Sequence, residues 1–291
     1  MPTVTAAELA PLLNAYTIVR GPPKTIVVPN ASKLASFQEV TASGTLLKKQ
    51  TVKVSPTSGK RTVSLGANGG AYGLEADGDL HACLGGKPLE PHITCELQHA
   101  AAWLPAFQAS VDQPITVSGF FRCLFEHPGF QANDDAHIFE IHPVRGVRLA
   151  GKAQTLDVDL PDSDSIHTWL SPHPLNDQDS KIRVACDRTT DTLTFSGMDG
   201  QDENYVRVPG IASNIHPGTG ARTPSTFILT SPDIGHPVQV VALAGTRAAR
   251  ELGALTTNRI TLVALRFIDL PSALKEEYLI RLLAIDVQPG R

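Results

Sequence analysis

The stretch that decides the fold opens with Asp77-Gly78-Asp79-Leu80-His81-Ala82-Cys83-Leu84 and closes with His137-Ile138-Phe139-Glu140-Ile141-His142-Pro143-Val144. Leu80, Ala82 and Leu84 alternate with His81 and Cys83, the period-2 pattern of a strand with two unlike faces. Ile93, Cys95 and Leu97 alternate in the same way with Thr94 and Glu96. Pro114 introduces a third run, Ile115 to Phe121, and His137 to Leu149 forms a fourth, interrupted at Pro143 and Gly146. Between the second and third runs, His99 to Phe107 fits a short helix broken at Pro105. Six of the ten histidines fall in this window.

Working outward, Val40 to Leu47 supplies one more strand ahead of the window. A basic hairpin follows it, turning at Pro56-Thr57-Ser58-Gly59. The order is three strands, a short helix, then two strands, which predicts an OB-like Greek-key barrel. Gly119 within the third run predicts a bend or bulge. Gly66 to Gly73 is glycine-rich, but no Gly-Lys-Ser/Thr follows, so it is not a phosphate-binding P-loop. At the N-terminus Thr5 and Glu8 have the spacing of a capping box. Ala6, Leu9, Leu12 and Leu13 recur behind them at helical spacing.

Residues 151–180 read as an acidic, proline-rich linker, with Asp157, Asp159, Asp162, Asp164, Asp177 and Asp179 among Pro161, Pro172 and Pro174. Residues 181–291 return to β patterning, beginning with a hairpin of Ile182–Cys186 and Thr192–Phe195. His236 to Leu243 parallels Gln113 to Phe120, and Arg259 to Leu270 parallels His137 to Leu149. This suggests an internal duplication. Pro271 then predicts a C-terminal helix with Leu274, Tyr278, Ile280, Leu282 and Leu283 on its apolar face. The expected architecture is mainly β. Tandem small β-barrels occupy 1–150 and 181–291, with a short N-terminal helix and a C-terminal helix.

Of the 291 residues, 42% are hydrophobic, enough for packed cores, and only 5% are aromatic, which limits ring stacking as a binding mode. The net charge of −4 and pI of 6.2 exclude a uniformly basic nucleic-acid coat, so phosphate affinity would need a local patch. Lys48, Lys49, Lys53, Lys60 and Arg61 form such a patch in a stretch without an acid, and Phe120 and Phe121 are candidate stacking surfaces. The loop joining the first two strands of an OB barrel is a common place to grip nucleic acid. Cys83, Cys95, Cys123 and Cys186 lack any C-x-x-C spacing and read as reduced thiols. With no secretory leader pattern and no membrane-length apolar run, the expected location is cytoplasmic.

A second constellation is metal-like. Asp77, Asp79, His81, Glu140 and His142 offer carboxylate and imidazole donors, and the Glu-x-His spacing puts Glu140 and His142 on one face of a strand. Asp77-Gly78-Asp79 resembles the D-G-D-T segment with which staphylococcal-type nucleases place carboxylates beside calcium. The arginine and the Asp-Thr-Pro segment of those enzymes have no counterpart here. The central window as a whole resembles a group of bacterial OB-like barrel proteins of uncharacterised function. The likeness lies in Asp77 to Leu84, Thr94-Cys95-Glu96, Val117 to Phe121, and Glu140-Ile141-His142-Pro143-Val144. It implies the barrel and no activity.

Three functions are compatible with these residues. The first is a two-barrel binding protein for single-stranded nucleic acid, acting through the basic hairpin. The second is a metal-dependent hydrolase or nuclease built on the Asp/His/Glu cluster. The third is a structural scaffold that forms homo-oligomers. No nucleophile motif and no nucleotide-cofactor motif is present, and the only cofactor implied is a divalent metal.

Overall fold

The computed structural model describes residues 1–19, 21, 23–55, 57–75, 78–98, 100–130, 135–149, 152–155, 170–171, 181–198, 204–219 and 223–290. Two compact units are present, and they interleave along the chain. The first takes 1–156 together with 182–202 and 270–278. The second takes 203–269 and the segment from 279 onward. Residues 182–202 and 270–278 fall with the first unit. The physical reason is strand pairing. The predicted hairpin forms, as Arg183–Asp187 and Thr192–Met198, and its second strand pairs with Lys24–Pro29. Most of the proposed 151–180 linker lies outside the described residues.

The first unit contains a closed five-stranded barrel. Its strands are β1 (Glu39–Leu47), β4 (Leu80–Gly85), β5 (Ile93–Leu97), β6 (Pro114–His127) and β7 (His137–Leu149). A hairpin of β2 (Gln50–Val54) and β3 (Arg61–Leu65) is inserted between β1 and β4. Going round the ring, β1 pairs with β4, β4 with β5, β5 with β7, β7 with β6, and β6 with β1. Only the β5–β7 contact in this ring is parallel. The connection from β5 to β6 holds a 3₁₀ turn and helix α2 (Leu104–Ala109). Pro105 sits in the first turn of α2, where its missing N–H costs nothing. Helix α1 (Ala6–Leu13) carries the predicted capping box, with Thr5 and Glu8 satisfying each other's backbone.

In the second unit, β8 (Tyr205–His216), β9 (Ser225–Thr230), β10 (Val238–Ala242), β11 (Arg259–Ile268) and β12 (Ile280–Pro289) pair in the same cyclic order. Again the third and fifth strands are parallel, and a helix, α3 (Arg247–Ala254), connects the third to the fourth. Val206, Phe227, Leu229, Val240, Leu262, Leu282 and Val287 fill its core.

The predicted C-terminal helix is corrected here. It is a single turn at Leu270–Ala273, followed by strand β12. Leu282 to Val287 is buried without a break, so both faces of β12 are covered and the sequence shows no alternation. The apolar stretch Leu282 to Ile285 is too short and unbroken for its pattern to distinguish a buried strand from a buried helix.

The three thiols of the first barrel, Cys83, Cys95 and Cys123, are buried, while Cys186 is half-exposed. Burial pushes Cys83 up to about 12 and Cys95 well above the usual thiol range. A disulfide-exchange reagent should therefore label Cys186 alone in the native chain and all four thiols in denaturant. Fast labelling of two or more native thiols would contradict this packing.

Candidate functional site

Each strand of the central window has one apolar face and one polar face. Leu80 opposes Leu97, Ala82 opposes Cys95 and Leu84 opposes Ile93; these pairs form the apolar face. On the other face His81 opposes Glu96 and Cys83 opposes Thr94. The parallel β5–β7 ladder sets Glu140 beside Thr94, and the β6–β7 ladder sets Arg122 opposite Glu140. Strand pairing thus gathers on one surface side chains that are up to 61 positions apart in sequence, from His81 to His142.

That surface is buried. Asp79, Glu96, Arg122, Glu140 and His142 are exposed by 1%, 3%, 1%, 4% and 0%. Part of the cover is the inserted hairpin. The Gln50 backbone N–H donates to Cys83 Sγ, its side-chain amide lies 3.2 Å from His92 Nδ1, and Leu89 N–H donates to Gln50 Oε1. Val52 and Val54 pack on Ala136, and Val52 N–H donates to Asp135 Oδ1 at 2.6 Å. Tyr72 adds cover, donating to the Leu47 carbonyl and accepting from Cys83 N–H.

Within the network Glu96 Oε2 is 3.0 Å from both His81 Nε2 and His142 Nδ1. Glu140 Oε1 accepts from Arg122 Nε at 2.6 Å and lies 3.3 Å from His142 Nδ1. Arg122 also donates to Glu126 Oε2 at 2.9 Å, and His137 Nε2 is 3.4 Å from Glu140 Oε2. Burial opposes charge on His81, but Glu96 overrides it and lifts His81 to about 10. His142 rises in the same way, to about 9. Burial also opposes the Glu96 carboxylate, yet His142 and His81 hold it well below the carboxylate range. Glu126 goes the other way, pushed up to about 7 by burial despite Arg122.

The structure sorts the predicted residues. Asp79, His81, Glu140 and His142 do converge, while Asp77 lies outside the described residues. Glu96 and Arg122, absent from the predicted set, stand at its centre. Asp79, Glu96 and His142 each offer a ligand atom, all within 4.8 Å of one another. The basic set divides. Lys48, Lys53 and Lys60 are exposed, but Lys49 pairs with Glu75. The Arg61 guanidinium sits 3.8 Å from the Tyr16 ring centre and donates to the Tyr16 carbonyl at 2.9 Å, so it serves packing. Phe120 and Phe121, at 2% and 4% exposure, offer no ring face to a base. Phe121 instead stacks on Phe139.

Fold and site together define a mainly β protein whose closed five-stranded barrel, in the first unit, carries a buried His/carboxylate/arginine network beneath a lysine-bearing hairpin. No family model and no curated protein sequence matches the chain. Among solved structures it is similar to the wild-type single-stranded DNA binding protein from Thermus aquaticus. Identity is 14%, coverage is 87% of this chain and 93% of that one, and the TM-score is 0.23. A deletion mutant of that protein, which also carries a point substitution, gives 12% identity, 87% and 94% coverage, and a TM-score of 0.22. At such TM-scores neither structure assigns a site residue here. No helix among the described residues is long and apolar enough to cross a membrane.

Proposed function

We propose that the chain is a tandem OB-fold protein that binds single-stranded nucleic acid through the exposed lysines of the β2–β3 hairpin. The observation that carries the fold half is the shared cyclic order of the two units. Each has a parallel third–fifth contact and a helix before the fourth strand. That is OB connectivity, so the units read as diverged copies of one barrel. The internal duplication then matches β1 with β8, β4 with β9, β5 with β10, β6 with β11 and β7 with β12. Fold alone does not give function, and the binding half rests on Lys48, Lys53 and Lys60.

Lys53 and Lys60 lie on the inserted hairpin and Lys48 on the link leading into it, together the connection from which OB barrels grip nucleic acid. No phenylalanine, tyrosine or tryptophan among the described residues is fully exposed, so stacking adds little. Binding is then mainly electrostatic. Three phosphate contacts predict a slope of about −2 for log affinity against log salt on single strands. Fluorescence anisotropy with labelled single-stranded DNA and RNA over a salt series measures it. The triple variant Lys48→Glu, Lys53→Glu, Lys60→Glu should abolish binding while leaving the circular dichroism unchanged. Undiminished affinity in that variant, or salt-independent binding, sinks the assignment.

A further inference from the structure

We infer that the first barrel holds one divalent transition-metal ion, with Asp79, Glu96 and His142 as its protein ligands. This goes beyond the nucleic-acid reading and does not depend on it. The three ligands come from separate elements: the entry to β4, the middle of β5, and β7. Their donor atoms lie within 4.8 Å of one another in a place closed to water. His81 Nε2 lies 3.0 Å from Glu96 Oε2 and so orients that ligand's carboxylate.

Asp79 and Glu96 supply two nearly fully buried carboxylates and His142 a fully buried imidazole nitrogen, and these are donors a divalent ion takes as carboxylate anion and neutral imidazole. The mixed imidazole and carboxylate set suits zinc, or manganese or iron in the divalent state, and does not suit calcium, which takes oxygen ligands. Bonds of about 2.0–2.2 Å to such an ion need the Glu96–histidine contacts to open by only a few tenths of an ångström.

The barrel does not need these residues in order to close. Superimposing the interior pair Cys95–Ile141 on Val240–Leu282 places Thr226 at the position of His81, Val241 at Glu96 and Leu283 at His142. The second ring forms the same ladders with neutral and apolar side chains at all three positions. The donor set is therefore a property of the first barrel and not of the architecture.

The test uses the full chain, treated with chelator, dialysed and checked by circular dichroism, with no nucleic acid present. Zinc and cobalt(II) are titrated in, followed by calorimetry and by the visible spectrum of the cobalt form. One equivalent should bind, with a tetrahedral-type cobalt spectrum and a higher Tm. Asp79→Asn and Glu96→Gln should each lose more than about 100-fold in zinc affinity, exceeding the loss expected for a residue that merely supports a ligand. If Glu96→Gln does not fold, Asp79→Asn carries the comparison, since Asp79 precedes its strand. A folded chain that takes up neither zinc, cobalt nor manganese stoichiometrically overturns the site. Uptake unchanged in a folded Asp79→Asn variant overturns it equally. Either failure leaves the lysine hairpin proposal standing.

Discussion

Arg122→Met should lower the stability of the first barrel by about 3–5 kcal/mol, the cost of removing one partner of a buried ion pair. Arg122 is 1% exposed, and its guanidinium contacts Glu140 and Glu126. The substitution keeps most of the side-chain volume, so the loss is electrostatic rather than a cavity. It leaves the buried Glu140 carboxylate without the one cation beside it that cannot give up its proton. The double variant Arg122→Met, Glu140→Gln removes both charges and should recover at least half of the loss. Urea unfolding monitored by circular dichroism gives both values, and the difference from additivity is the coupling of the pair. A loss under about 1 kcal/mol in Arg122→Met would mean that the pair contributes nothing to holding β6 against β7.

Arg122 is hard to see in the sequence. It lies in the run Phe120-Phe121-Arg122-Cys123-Leu124-Phe125, where a lone charge looks like the exposed edge of an apolar strand. Its role appears only when Glu140 is placed across the ladder, and cross-strand register is what single-strand patterning lacks. Glu96 is hidden for the same reason. Alternation puts it on the polar face of β5, but a polar face is normally taken as the wet one. Here the hairpin and Tyr72 cover that face, so polar alternation and complete burial coexist. By contrast, Glu140 and His142 are legible because both lie on one strand two residues apart. The five strands of the first barrel are legible too, since each has its own turn signals. The parallel between the two halves that the sequence suggests runs one strand out of step with the ladder order of the second unit. Reading β12 as a helix removes the last strand of the second unit's ring, so Arg259 to Leu270 is matched to His137 to Leu149 of β7 instead of to β6.

Gly119→Ala should cost about 3 kcal/mol and disturb the network, although it adds only a single methyl group. The sequence predicts a bend or bulge at this position. The ladder is bulged here, with the extra residue on β7. The register of β7 against β6 shifts between Ile141 and Val144, and Val144 is the residue opposite Gly119. The bulge sets two β7 residues, His142 and Pro143, against one on β6, and Pro143 with its neighbours Ile141 and Val144 presses onto Gly119. A Cβ there would overlap the Pro143 carbonyl oxygen and lie 2.7 Å from Ile141 Cγ2 and 3.0 Å from Val144 Cα. Two of these three neighbours are backbone, so no rotamer change relieves the contact. Bulges re-aim side chains, and this one carries His142 to within 3.0 Å of Glu96. Pushing β7 away from β6 therefore moves His142 as well as loosening the ladder. Chemical denaturation should report the stability loss. The His142 imidazole resonance in an NMR spectrum should shift in Gly119→Ala and stay unchanged in Ser118→Ala, whose side chain faces the other way. A Gly119→Ala protein with wild-type stability and an unmoved His142 signal would show that β7 has slack at the bulge, and that the position of His142 is set elsewhere.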